Sequence, residues 1–245
     1  MENNEIIEQI SIYDTQLKDT DPELVEILDN FIVNDLKEEY EKITFTERML
    51  LILSTLIANQ SHKLYEKILT EAIVEGLDPI IVKEMLYQSI VYLGIGKMYE
   101  FIDITNNVFD EKGVTLPLPG QSTVTQKTRK QEGYKIQQQH YGKQWMEDQI
   151  QATQQNQRRL WDYISEFGFG DFYARGGLDD KQREIITIAI LISMRGCEPQ
   201  LEIHLRGCKS VGFSDDQLIA MIMILIPYIG FPRIHNVLAV LNKLE

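Results

Sequence analysis

Apolar residues along this chain recur at three- and four-residue intervals, the spacing of one helical face. Asp21 can cap a helix over about 22–33, with Pro22 in its first turn and Leu24, Ile27, Leu28 and Phe31 on one stripe. Thr44 or Thr46 then opens a helix that is apolar on nearly every side (Met49, Leu50, Ile52, Leu53, Leu56, Ile57), which predicts a central position. After a break at 59–61, helices are expected over 62–74, stopping at Gly76, and from Asp78-Pro79 to about Tyr92, stopping at Gly94. Another covers about 97–109. Residues 114–133 hold prolines, Gly120 and polar residues and read as a linker. The glutamine-rich stretch 134–157 suits either low-complexity coil or a helix; Trp145, Met146 and Ile150 favour the helix. A packed loop is expected at 167–178, FGFGDFYARGGL. Asp179 or Asp180 then caps a dense apolar helix ending at Met194, and a break at 196–199 precedes a helix carrying His204. No segment shows the alternation of a sheet, so the expected class is all-α.

Two stretches of this pattern match each other. Arg48 pairs with Arg183, Gly76 with Gly212, Tyr92 with Tyr228 and Gly94 with Gly230, with one residue inserted between the first pair and the rest. A repeat of this length implies a duplicated helical unit. The predicted organisation is two homologous antiparallel helical domains, 1–115 and 134–245, joined by a linker at 116–133.

Composition narrows the function. Hydrophobic residues make up 44% of the chain, enough for a sizeable core. The net charge of −13 disfavours nucleic acid and anionic membrane as partners. The longest apolar run, residues 218–226, is too short for a bilayer span, and residues 1–10 do not resemble a secretory signal. Two cysteines make no disulfide framework, so a cytoplasmic setting is expected. His62, His140 and His235 have no metal-ligand spacing; neither metal nor cofactor is expected.

Cys197, Leu201, His204 and Cys208 share one helical face. Pro199 belongs in a first turn, so Cys197 is expected at or just before the helix start, where the positive helix end favours a thiolate. Eleven residues of helix separate the two cysteines by roughly 16 Å, too far for a disulfide.

Arg183-Glu184 opening an apolar helix, Leu201 to His204, the helix start Gly212-x-Ser214-x-Asp216 and Tyr228-x-Gly230-x-Pro232 together resemble the carboxymuconolactone decarboxylase family, which includes the alkylhydroperoxidase D group. YGKQW (141–145) and FGFGDFYARGGL look like the lead-in segment of the decarboxylases, so the resemblance covers 134–245; residues 22–113 resemble the same domain more weakly. The resemblance implies six-domain rings, which a tandem chain would build as a homotrimer. In the redox branch of the family a second cysteine stands where this chain has Gln200, which weighs against a two-cysteine peroxidase cycle.

In the decarboxylase branch the resemblance makes His204 the proton donor, Glu184 its orienting or proton-exchanging partner, and Arg183 or Arg195 the carboxylate holder. Gln200 and Tyr228 complete the expected substrate contacts, although Tyr228 and Tyr92 equally suit packing. Ser61, Leu64 and Ile68 stand in the first half where the second has Cys197, Gln200 and His204, so the first half is expected to be a structural copy without a catalytic centre. The leading expectation is a lyase or isomerase acting on a small lactone-type acid. The alternatives are a thiol peroxidase using Cys197 and a non-catalytic helical scaffold or small-molecule binder.

Overall fold

A computed structural model of the chain describes residues 15–244. The secretory-signal reading of residues 1–10 therefore lies outside the described residues. The described chain is helical, with no strand among the described residues.

Its centre is formed by two helices, Phe45–Ala58 and Asp180–Ser193, packed against each other. Their sequences dictate this place. Leu50, Leu53, Ile57, Ile186, Ile188 and Ile190 are all fully buried, and each side chain removed from water contributes roughly 1.5–3 kcal/mol. Both helices begin with a capping box. Thr44 accepts from the Glu47 amide while Glu47 reaches back to the Thr44 amide, and Asp179 and Gln182 do the same, satisfying amides that a helix start leaves bare.

Each central helix is followed by the same succession. His62–Val74 and Pro79–Leu93 follow the first; Glu198–Ser210 and Asp215–Ile224 follow the second. The matched turn glycines have nearly equal backbone angles, φ +94° at Gly76 and +95° at Gly212.

Three local expectations need correction. The Pro22–Asp29 helix continues into a π-helical turn, Asn30–Asp35, and buries Val25, Ile32 and Leu36. Leu24 and Ile27, expected on the inner stripe, are 46% and 65% exposed. Residues 129–133, expected in the linker, are already in the Arg129–Tyr141 helix. The expected loop at 167–178 lies largely in a π-helix, Ile164–Tyr173. Its glycines serve close packing. A Cβ on Gly170 would meet the Arg129 carbonyl at 2.3 Å, and one on Gly133 would meet the Ser165 carbonyl at 1.8 Å. The two backbones touch because neither glycine has a side chain. Arg129 pins the contact with ion pairs to Asp171 and Glu166, and Ser165 donates to buried Gln137 at 2.7 Å.

No helix of the described residues is long and apolar enough to cross a membrane.

Candidate active site

The Asp180–Ser193 helix enters the core with Glu184 1% exposed. A carboxylate there requires partners, and the next helix supplies one. His204 is 8% exposed, and its Nδ1 lies 2.9 Å from Glu184 Oε2. The carboxylate fits because position 207 is glycine. A Cβ there would approach Glu184 Oε2 to 3.0 Å and Cδ to 3.1 Å. With Nδ1 bonded to a carboxylate, the imidazole presents Nε2 as its proton-bearing or proton-accepting atom.

A cavity of about 290 Å³ opens on this pair. Ile203, Gly207 and Ser210 continue its wall along the His204 helix, with Arg206 beside them. The opposite wall is His140, Tyr141 and Trp145. His140 Nδ1 lies 3.8 Å from Glu184 Oε1, and the Tyr141 ring meets the imidazole edge-on at 6.3 Å. The glycine contact described above carries these residues, since it docks the Arg129–Tyr141 helix against the π-helix.

Behind the pair lies a buried phenol cluster. Tyr92 meets the His204 ring edge-on at 6.1 Å, and its hydroxyl bonds to those of Tyr173 and Thr187. Tyr173 also bonds to Thr187, at 2.8 Å. Burial pushes the pKa values of Tyr92, Tyr141 and Tyr173 far up, and the Glu184 carboxylate adds to the shift in each. These phenols are neutral hydrogen-bonding groups at any physiological pH.

The predicted site residues separate cleanly. Glu184 and His204 come together. Arg183 does not join them: its guanidinium donates to Gln88 Oε1 at 2.9 Å and to the Phe172 and Arg175 carbonyls, with the Tyr173 ring 5.5 Å away. Successive helical residues point about 100° apart, so Arg183 and Glu184 cannot both face the cavity. Arg195 and Gln200 are exposed and do not line the cavity. Tyr228 is half-buried and close enough to Arg48 to favour its charge, and it does not line the cavity. Cys197 is the N-cap residue of its helix and half-buried, its Sγ 3.9 Å from the Arg195 carbonyl, outside the cavity lining. Cys208 is buried, and burial beside Glu184 pushes its thiol pKa well up. Among the described residues, no three metal-ligating side chains gather into a metal-sized group.

Sequence reading missed His140, Tyr141, Trp145 and Arg206 as cavity residues. A signal was present in HYGKQW: Tyr141 and Trp145 flank the helix break at Gly142, and their rings sit at 5.2 Å.

The model of the carboxymuconolactone decarboxylase family matches residues 159–243, which include Glu184 and His204 but not the 140–145 wall. A 4-carboxymuconolactone decarboxylase from Acinetobacter baylyi is 37% identical over 70 residues, 29% of this chain and 52% of that protein. The chain thus spans about half the length of that relative. A nitrosuccinic acid decarboxylase from Metarhizium robertsii is 25% identical over 112 residues, 46% of this chain and 78% of that one. A crystal structure from Burkholderia xenovorans, provisionally assigned as a gamma-carboxymuconolactone decarboxylase subunit, shares the fold across 99% of this chain and 96% of its own. Its TM-score is 0.55 at 14% identity. Residues 159–243, the region that holds Glu184 and His204, are thus similar to the carboxymuconolactone decarboxylase family.

Proposed function

We propose that the cavity removes carbon dioxide from a small, lactone-type carboxylic acid, with His204 as the proton donor. The observation that carries this reading is the buried Glu184–His204 hydrogen bond at the cavity wall. Loss of carbon dioxide leaves the bonding electron pair on the α-carbon, delocalised as an enolate. His204 Nε2 delivers a proton to that carbon and regains one from water. Glu184 fixes the ring and stabilises the transient imidazolium, as a carboxylate partner does for a catalytic histidine. Tyr141, Trp145 and Ile203 supply apolar walls, where the charge-dispersed transition state is favoured over the localised carboxylate. Arg206, already paired with Glu202 at 3.1 Å, stands at the cavity as the cation that meets an incoming acid, a role earlier given to Arg183 or Arg195.

We infer further that residues 44–94 are a copy of the same unit that has lost, or never had, the acid–base pair. Met49 stands where the second unit has Glu184, and Ile68 where it has His204. A thiol mechanism has less support, because neither cysteine lines the cavity.

The test is incubation in deuterated water with 4-carboxymuconolactone and with nitrosuccinic acid, the acids named by the two relatives. Carbon dioxide release with one solvent deuterium at the former α-carbon is expected. His204→Gln should lower kcat/KM by about 100- to 10,000-fold. Turnover that survives this substitution would refute the assignment.

A further inference from the structure

A second cavity, of about 430 Å³, shares no lining residue with the Glu184–His204 cavity and runs along the face of the Pro79–Leu93 helix that carries Ile80, Lys83, Glu84 and Tyr87. Its walls are Ile80 and the strap of residues 116–121, which is tied down where Gly176 donates to the Gln121 carbonyl at 2.8 Å. Three charged side chains line it: Lys83, Glu84 and Arg175. Glu84, 3% exposed, is fully engaged by Arg175 through two bonds of 2.7 and 2.9 Å. Lys83 is left without a counter-charge.

Lys83 is 8% exposed and forms no ion pair among the described residues. Its ammonium donates to Asn106 Oδ1 and lies 5.7 Å from the Phe109 ring centre. An amide and a ring face solvate a cation only partly, and an uncompensated buried charge is costly. Burial accordingly lowers the Lys83 pKa. With Glu84 and Arg175 cancelling, the cavity carries one net positive charge, and Leu116, Leu118 and Ile80 give it an apolar wall.

We propose that this cavity is a binding site for a small organic monocarboxylate, its head group on Lys83 and Asn106 and its apolar body against Ile80, Leu116 and Leu118. Asn106 Nδ2 provides a second donor beside the ammonium, matching the two oxygens of a carboxylate. The site is independent of the proposed decarboxylation.

The experiment follows thermal unfolding of the full-length protein in benzoate, inorganic phosphate or chloride at matched ionic strength. Wild type, Lys83→Met and His204→Ala are compared. Benzoate, a carboxylate on a flat apolar body, is expected to raise the midpoint of wild type and His204→Ala and to leave Lys83→Met unmoved. Lys83→Met alone, in chloride, should match or exceed wild type, because the uncompensated charge is gone. Should Lys83→Met fail to fold, the wild-type protein still decides. Benzoate at about ten times its Kd should slow reductive methylation of the Lys83 amine roughly tenfold, and unchanged labelling overturns the proposal. So does a benzoate shift that survives in Lys83→Met, or an equal shift from phosphate, which lacks the apolar body.

Discussion

Residues 44–94 and 179–230, proposed above to be copies of one unit, run through like successions of helices around different contents. In the first region, Arg48 lies over the Tyr40 ring at 5.0 Å with Tyr228 close enough to favour its charge. In the second, Arg183 lies over Tyr173 at 5.5 Å with Tyr92 beside it. The two tyrosines are exchanged across the core: Tyr228 from the second region serves the first arginine, and Tyr92 from the first serves the second. An Arg–Tyr–Tyr arrangement that recurs where no acid–base pair exists is a packing device. What the second region adds is Glu184, His204 and Gly207, where the first has Met49, Ile68 and Glu71. The comparison thus divides architecture from chemistry, and it assigns Arg183 to the former.

The strongest way to break that division is to exchange the outcomes. His204→Ala should cost the proposed decarboxylation about 100- to 10,000-fold, and it should also lower the unfolding midpoint, because the buried Glu184 carboxylate loses its partner. The matched Ile68→Ala, at a 1% exposed position, should cost about 2–5 kcal/mol of stability and leave kcat untouched. If Ile68→Ala lowers kcat while the protein remains folded, the first region takes part in the chemistry.

The arginines give the next contrast. Arg183 bonds to Gln88 and two carbonyls, whereas the residue matching Gln88 in the other region is Ile224, and Arg48 Nη2 is buried without a hydrogen-bond partner. Arg183→Met should therefore destabilise by about 2–3 kcal/mol, leaving its acceptors bare. Arg48→Met should cost about 1 kcal/mol or less, since it removes an atom that was never satisfied. Equal losses in denaturant melts would show that the scaffolds are not distinguished by this hydrogen bonding.

Much of the architecture was legible in the sequence for a local reason. Helix caps, glycine stops and apolar periodicity are written in residues close together along the chain, and Thr44, Asp179, Gly94 and Gly230 all act at the positions where they appear. Glu184 and His204 were legible because each central helix leads directly into its neighbour. The 140–145 wall was not, because its approach depends on Gly133 meeting the backbone of Ser165 and Gly170 that of Arg129, each far away along the chain. The direction of Arg183 was not legible either, because neighbours along a helix face different ways. Helical rotation turns it toward Gln88, a residue of the other region. The FGFGDFYARGGL stretch was read as a loop from its glycines, although the same lack of side chains permits close packing of a helix.

A smaller effect tests Gly207. Alanine there gains about 1 kcal/mol of helix propensity but places a Cβ against the Glu184 carboxylate. Gly207→Ala should raise or preserve the unfolding midpoint while lowering kcat several-fold, by displacing the group that holds His204. Glu71→Ala, the matched change, should move neither by more than about 0.5 kcal/mol. Full activity in Gly207→Ala would mean that the fit of carboxylate to helix does not set the imidazole.

The thiols give the finest contrast, because they ask whether a residue absent from the first region is chemistry or filler. Cys208 matches Ala72, and both are fully buried, which fits a small space-filling side chain. Iodoacetamide should label Cys197, which is half-buried at its helix start, and spare Cys208 in the native protein between pH 7 and 9. Burial, assisted by the Glu184 carboxylate, holds the Cys208 thiol protonated. Folding raises this pKa, so the neutral thiol's contribution to stability is intact below the ~8.5 of an unfolded thiol and is lost as pH climbs above it. Cys208→Ala should consequently leave stability at pH 7 within about 1 kcal/mol and flatten its decline between pH 8.5 and 10. Rapid labelling of Cys208 at pH 7 in a folded protein would place a reactive thiol beside Glu184, and the filler reading, with the match to Ala72, would fall.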